Sequence, residues 1–493
     1  MPRLSSLVAM LALSVAGCTA LLGAGTSMAA SSGAVPATTG DARANEAARQ
    51  RHLKILQEVG RYDDERLQQY VNEIGQRIAA KSDRPDLTYT FTVLDSAEVN
   101  AFADPGGYIY VYRGLLSYLN SEAELAAVLG HEIGHVTARH SAHRQAGAVA
   151  ANVGATLIGI LTGNPGLMDV AGMAGGALVM GYSREQESEA DQLGVKFIGR
   201  AGYEPTATVD ALQMLWNRDQ FELQQARAEN RSTRGDGLMA SHPDNEKRVR
   251  EAQALVSKTA INPSEHRPAN RDVYLANIDG LAFGTSAAQG VVRGSRFYHG
   301  GMGVTLAFPS GWTVDNQPSK LIAHGPANDK MIEVNAQPIP PNMAPKEFLG
   351  RLLRGQSSSA AEPLEFNGLS GYRANLRSTG LPWGSQGPAS VAVVYNNGLA
   401  YIFLGATRIA TEFGAFEPIF VSSIKTFRRL RDNEFAAAEP ERIRVIQAGP
   451  DTRIEELAQK SPNMKYPNEE LRLLNGLYPD KEPAPGQKLK TVQ

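Results

Sequence analysis

Residues 121–140, SEAELAAVLGHEIGHVTARH, constrain this chain more than any other stretch. Ser121 followed three residues later by Glu124 makes a capping box, so a helix is expected to start near Glu122 and to continue past His143. A helix turns about 100° per residue, which puts His131 and His135 on one face, one turn apart, with ring nitrogens able to meet at a single ion. Glu132 lies beside them. In this H-E-x-x-H pattern two histidines bind zinc and the glutamate acts as general base toward water.

Zinc in a catalytic site takes a third protein ligand and keeps a fourth position open. The metzincin pattern would need Gly at 138 and His at 141, where this chain has Ala138 and Ser141, so that arrangement is excluded. His140 and His143 read as solvated helix residues. A glutamate from another helix is the alternative, and GYSREQESEADQLGVKF (181–197) offers two i, i+4 pairs, Glu187 with Asp191 and Glu185 with Glu189. In the first, Glu187 ligates while Asp191 accepts the other N–H of a ligand histidine and fixes its tautomer. The shorter Asp favours that pair, and spacing leaves the second open.

Either side of this region the texture changes. Arg3 precedes an apolar run, 7–16, which is shorter than the ~20 residues of a membrane helix and suits a secretory signal. SVAGC resembles a bacterial lipobox, whose cysteine is lipidated. Here that is Cys18, the one cysteine of the chain, with cleavage near Ala29 or Ala30 as the alternative. Export to the periplasm is expected, with an outer-membrane lipid anchor if Cys18 is acylated. A linker (31–45) follows, then an amphipathic helical pattern from Glu46 toward Ala80. LTYTFTVL alternates as a half-buried strand, and NAFADPGGYIYVYRGLL (100–116) reads as a hairpin turning at Asp104-Pro105-Gly106-Gly107. Asn100 would hydrogen-bond substrate backbone from that edge strand. The apolar runs 146–161 and 170–180 read as buried helices, and 226–249 as a loop over the site.

With 493 residues the chain is too long for one core. The expected organisation is multi-domain: a signal (1–30), a mainly α-helical zincin protease domain with a small β-hairpin or sheet (46–260), a linker (261–292), an α+β domain (293–430) and a small βααβ domain (440–493). Lys+Arg 49 against Asp+Glu 51 leave no basic field, which argues against nucleic acid as a partner.

HEIGH (131–135), SREQESEAD (183–191), NAFADPGGYIYV (100–111) and SHPDNEKR (241–248) together resemble the zinc metallopeptidases that include the CAAX prenyl proteases and HtpX, in the periplasmic BepA-type branch, a gluzincin group. The resemblance implies one Zn2+ per chain on His131, His135 and Glu187, and Asp191 behind a ligand histidine. It makes His242 and Arg248 candidates for closing the site or stabilising an oxyanion. It implies a metalloendopeptidase acting on envelope proteins, in quality control or outer-membrane protein assembly. Residues 442–492 are similar to a LysM module, which implies peptidoglycan or glycan as a further partner. The competing reading is an envelope or peptidoglycan-binding assembly factor whose zinc site is latent or structural.

Overall fold

The computed structural model describes residues 39–140, 182–228, 242, 245–258, 269–317, 320–353, 356–381, 383, 386–461 and 464–493. Cys18 and the rest of the expected signal, the runs 146–161 and 170–180, His143 and most of the expected loop 226–249 lie outside them, and the described ends of that loop, 226–228 and 245–249, are helical instead.

The amphipathic pattern at the start of the folded region is two helices, α1 (Thr39–Glu58) and α2 (Glu65–Ala79), and α1 begins inside the expected linker. Gly60, at φ 86°, follows the end of α1, and Asp64 caps α2 by accepting the Leu67 N–H at 3.0 Å. Three strands follow: β1 (Thr90–Leu94), β2 (Ala101–Ala103) and β3 (Tyr108–Tyr112). The order is β1-β3-β2, with β1 parallel to β3 and β2 antiparallel to it, so β2 is an edge. Contrary to its alternating pattern, β1 is not half-buried: Thr92 is covered as well as Phe91 and Val93, because the sheet is enclosed on both sides.

After α3 (Arg113–Tyr118), α4 (Glu122–Thr137) carries the H-E-x-x-H motif. Ser121 caps it, accepting the Glu124 N–H at 3.1 Å, while the Glu124 carboxylate reaches one residue further back, to the Asn120 N–H at 2.8 Å. The helix stops at Thr137 rather than passing His143, because Arg139 adopts a left-handed φ of 60° and turns the chain. Among the described residues three more helices follow in this region: α5 (Arg184–Arg200), α6 (Ala207–Ala228) and α7 (Asn245–Lys258). Gly130 and Gly134 let α4 lie directly on α5. A Cβ on Gly134 would stand 2.8 Å from the Ala190 carbonyl oxygen, and one on Gly194 would meet the His131 nitrogen at 3.0 Å. That close approach carries Glu187 and Asp191 to the two histidines.

Residues 261–292, expected as linker, contain α8 (Arg271–Ile278), whose Tyr274, Leu275 and Ile278 are fully buried in the same core as α2 and α4. The sheet-rich region beyond has cores of its own. After β4 (Ala282–Phe283), β5 (Val291–Arg293), β6 (Arg296–His299) and β7 (Val304–Ala307), seven antiparallel strands form one sheet: β8 (Thr313–Gln317), β9 (Lys320–His324), β10 (Lys330–Pro338), β11 (Glu362–Phe366), β12 (Leu369–Gly380), β13 (Gln386–Asn396) and β14 (Leu399–Thr407). The stretch NNGLAYIFLG forms the hairpin β13–β14, with Asn397 and Gly398 both at positive φ in its turn. Helix α9 (Pro345–Leu352) packs on one face and α10 (Phe413–Lys425) on the other.

The tail has the expected βααβ order: after β15 (Arg428–Arg429) come β16 (Glu441–Gln447), α11 (Ile454–Ala458), α12 (Pro467–Leu474) and β17 (Lys488–Val492). It is not a separate body. Ile443, Ile454, Leu471, Leu474 and Leu489 belong to the core built by α2, α4 and α6, since so short a segment buries too little apolar surface by itself. Lys490, with no exposed surface, donates to the Ser117 and Leu119 carbonyls at 2.7 Å each, just ahead of the motif helix. Among the described residues no helix is long and apolar enough to cross a membrane.

Candidate metal centre

Four donor groups converge where α4, α5 and the residue ahead of α7 meet: His131, His135, Glu187 and His242 offer ligand atoms within 4.8 Å of one another. His131 Nε2 and His135 Nε2 are 3.0 Å apart, and each is 3.5 Å from a Glu187 oxygen. His242 Nδ1 closes the figure, 3.4 Å from His131 Nε2 and 3.1 Å from Glu187 Oε1. Ligand bonds of 2.0–2.1 Å give a tetrahedron with edges of roughly 3.3 Å, so the spacing suits zinc.

The outer ring nitrogens decide the protonation. His131 Nδ1 donates to Asp191 Oδ1 at 2.8 Å, which leaves a lone pair on Nε2. Asp191 is held by a two-pronged contact from Arg248, whose Nε and Nη2 each donate at 2.8 Å, while Arg248 Nη1 lies 3.0 Å from Glu187 Oε2. Two imidazole lone pairs facing each other at 3.0 Å, beside a buried carboxylate, form a donor set that fits a divalent cation. The residues present therefore fit zinc.

Electrostatics agree. Burial opposes charge on Glu187 and Asp191, but His242 and Arg248 hold the first well below the usual carboxylate range, and Arg248 with His131 lowers the second. Burial drives His135 well below the ordinary imidazole value, which keeps it neutral and able to ligate. Burial also pulls His242 down, yet Glu187 and Glu132 outweigh it and lift the ring to about 9. Both its nitrogens face acceptors, since Nε2 also donates to the Ala101 carbonyl at 3.2 Å. A cation taking the place of the Nδ1 proton would turn that atom into a ligand.

Glu132 is buried beside this group. Its Oε1 is 3.7 Å from His242 Nε2, its Oε2 has no hydrogen-bond partner among the described residues, and burial raises its pKa against the pull of His242 and His131. Next to it opens an almost wholly apolar cavity of about 40 Å³ walled by Leu115, Ala127, Val128, Leu212 and Leu215.

Asn100 stands at the entry to β2 with its Oδ1 accepting the Ala101 N–H at 2.8 Å, and it is the carbonyl of Ala101 that faces the donor group. Glu185 is exposed, away from the histidines. Arg248 is turned onto Asp191, Glu187 and Asn245, as a brace for the carboxylates. His140 corrects the expectation of a solvated residue: it is 3% exposed and its Nδ1 lies 2.8 Å from His135 Nδ1. Spacing along a continuous helix conceals this contact, which exists because the helix ends at Thr137. Tyr182, whose ring stacks on His135 at 3.7 Å, carried no sequence signal.

Residues 65–256 match Peptidase family M48. A putative beta-barrel assembly-enhancing protease of Vibrio cholerae is 32% identical over 29% of this chain and 32% of its own length. The beta-barrel assembly-enhancing protease of Escherichia coli K12 is 30% identical over 39% of each chain. Mitochondrial metalloendopeptidase OMA1 of Schizosaccharomyces pombe is 32% identical over 39% of this chain and 54% of its own. The chain thus spans between about a third and a half of the length of these relatives.

Proposed function

From a Peptidase M48 domain at residues 65–256, we propose that the chain is a zinc-dependent metalloendopeptidase that hydrolyses proteins of the cell envelope. The observation that carries this reading is the convergence of His131 Nε2, His135 Nε2 and Glu187 beside a buried Glu132 oxygen that has no partner among the described residues. When bound there, zinc supplies an activated water at neutral pH and polarises the carbonyl to be cleaved. Glu132 takes the proton of that water on Oε2 and hands it to the departing amine, work for which a carboxylate raised by burial is suited. Asp191, braced by Arg248, keeps the His131 lone pair aimed inward.

His242 is the latch of this reading. Its Nδ1 stands at the fourth corner and its Nε2 holds the Ala101 carbonyl of edge strand β2, so one residue blocks both the open metal position and the strand on which an extended peptide would add. Withdrawal of His242 frees both. With His242 in place the cavity beside Glu132 is about 40 Å³, far less than the ~150 Å³ that admits benzene, and aliphatic walls line it where a substrate side chain would enter. The beta-barrel assembly-enhancing names of the relatives support envelope proteins as substrates, in quality control or outer-membrane protein assembly, with the chain in the periplasm. The latch position also favours, as the second reading, an assembly factor whose zinc site is kept latent.

The test is zinc content and casein cleavage by the full chain and by Glu132→Gln. One zinc in each, with cleavage lost only in the variant, supports the protease. Equal cleavage by both, or no zinc in either, overturns it.

A further inference from the structure

Beyond the donor set itself, we propose that His140 and Glu189 form a positioning relay for ligand His135, an imidazole interposed between a carboxylate and the metal-facing histidine. The proposal rests on the zinc reading above. Its geometry begins where α4 ends. Arg139 takes a left-handed φ of 60°, a conformation that glycine and asparagine favour and arginine does not, and the turn brings the next residue back beneath the motif. His140 comes to rest 3% exposed, its ring 5.0 Å from that of His135 and tilted by 70°.

The proton count along the contact has one consistent solution. Glu189 accepts only, so His140 Nε2, 3.2 Å from Glu189 Oε2, carries a hydrogen and donates it. A neutral His140 then has its lone pair on Nδ1, which accepts from His135 Nδ1 at 2.8 Å. His135 Nε2 is left bare, facing His131 Nε2 and Glu187. The opposite arrangement would put a proton on His135 Nε2, pointing into the donor group, and would stop it ligating. His140 and Glu189 thus select the ligating tautomer of His135, as Asp191 does for His131.

The two clamps differ in kind. Asp191 is buried and tied to Arg248, whereas the Glu189 side chain is 61% exposed and sits two residues beyond Glu187 on α5. The neutral imidazole between lets a solvent-facing carboxylate orient a ligand without a third buried negative charge at the site.

Zinc affinity by chelator competition, with the visible spectrum of the cobalt(II)-loaded full chain, tests this in wild type, His140→Ala, His140→Asn and Glu189→Gln. Leu474→Ala, in the tail and outside the donor group, controls for general loss of stability. The relay predicts zinc binding about 10- to 100-fold weaker in His140→Ala with an altered cobalt spectrum. It predicts partial recovery in His140→Asn, whose side-chain oxygen can accept from His135, and a smaller loss in Glu189→Gln. Affinity within twofold of wild type for His140→Ala, or His140→Asn no better than His140→Ala, overturns the relay. Wild type without zinc overturns the protease reading instead.

Discussion

Asp191 Oδ1 accepts the His131 Nδ1 proton at 2.8 Å across sixty residues of sequence, and Arg248 grips the same carboxylate from a third helix. The contact ties the motif helix, its partner helix and α7 into one unit. Asp191→Asn is expected to weaken zinc binding about 10- to 100-fold, because the amide can present its N–H to His131 and favour the wrong tautomer. Asp191→Ala also removes the two-pronged partner of the buried Arg248, which keeps Glu187 alone as counter-charge, at a cost of about 1–3 kcal/mol. Chelator competition and urea denaturation measure the two effects separately.

His242→Ala is expected to raise casein cleavage several-fold at unchanged zinc content, since the fourth corner and the Ala101 carbonyl are both released. A fall in turnover with zinc retained would assign His242 to oxyanion stabilisation instead.

Gly134→Ala places a methyl 2.8 Å from the Ala190 carbonyl oxygen, backbone that can yield only if α4 and α5 part. A loss of about 1–3 kcal/mol is expected, with weaker zinc binding. Gly199→Ala, on the same α5, meets nothing nearer than Pro205 Cγ at 3.8 Å and is expected to stabilise by up to about 1 kcal/mol through helix propensity. Thermal melts of both variants check the pair.

Burial raises Asp219 to about 6, although Asn245 Nδ2 donates to its Oδ2 at 2.6 Å. A folded-state value above the unfolded one means stability that is fully present below about pH 4 and lost as pH rises through about 6. Asp219→Asn keeps an acceptor for Asn245 without the charge. It is expected to gain at most about 3 kcal/mol at pH 8 and almost nothing at pH 4, by urea midpoints at the two values.

Leu474 lies in the core shared by the tail and the peptidase helices, whereas Phe403 belongs to the core of the seven-stranded sheet. Leu474→Ala is expected to cost about 2–5 kcal/mol and to lower the melting of the metal-binding region. Phe403→Ala is expected to shift the sheet region instead. Calorimetry with zinc release as the second signal separates them.

The sequence was most informative where chemistry requires a fixed spacing. His131 and His135 share a helical face, and Glu187 and Asp191 share another, whatever lies between, so the four residues that the structure brings together were legible from two short motifs. His140 was not, because its place depends on the helix ending three residues earlier, at Thr137, and on Arg139 then adopting a left-handed conformation, which no residue preference announces. The α+β character of 293–430 was legible too, and turn residues such as Asn397-Gly398 mark a hairpin there. The tail showed its βααβ order but not its attachment: the apolar side chains that face α2 and α4 look the same in a sequence whether they cover their own core or a neighbour's. Residues 271–278 were hidden for a similar reason, as one short buried helix beside a Pro-rich stretch.

The central claim is that one zinc is held by two histidines of α4 and a glutamate of α5. Crystals of the zinc-loaded Glu132→Gln chain, measured on either side of the zinc absorption edge, test it directly. The account predicts one anomalous peak per chain, about 2.0–2.2 Å from His131 Nε2, His135 Nε2 and a Glu187 oxygen. A peak bonded to both histidines with Glu187 out of reach, or with Glu185 or Glu189 in its place, would contradict it.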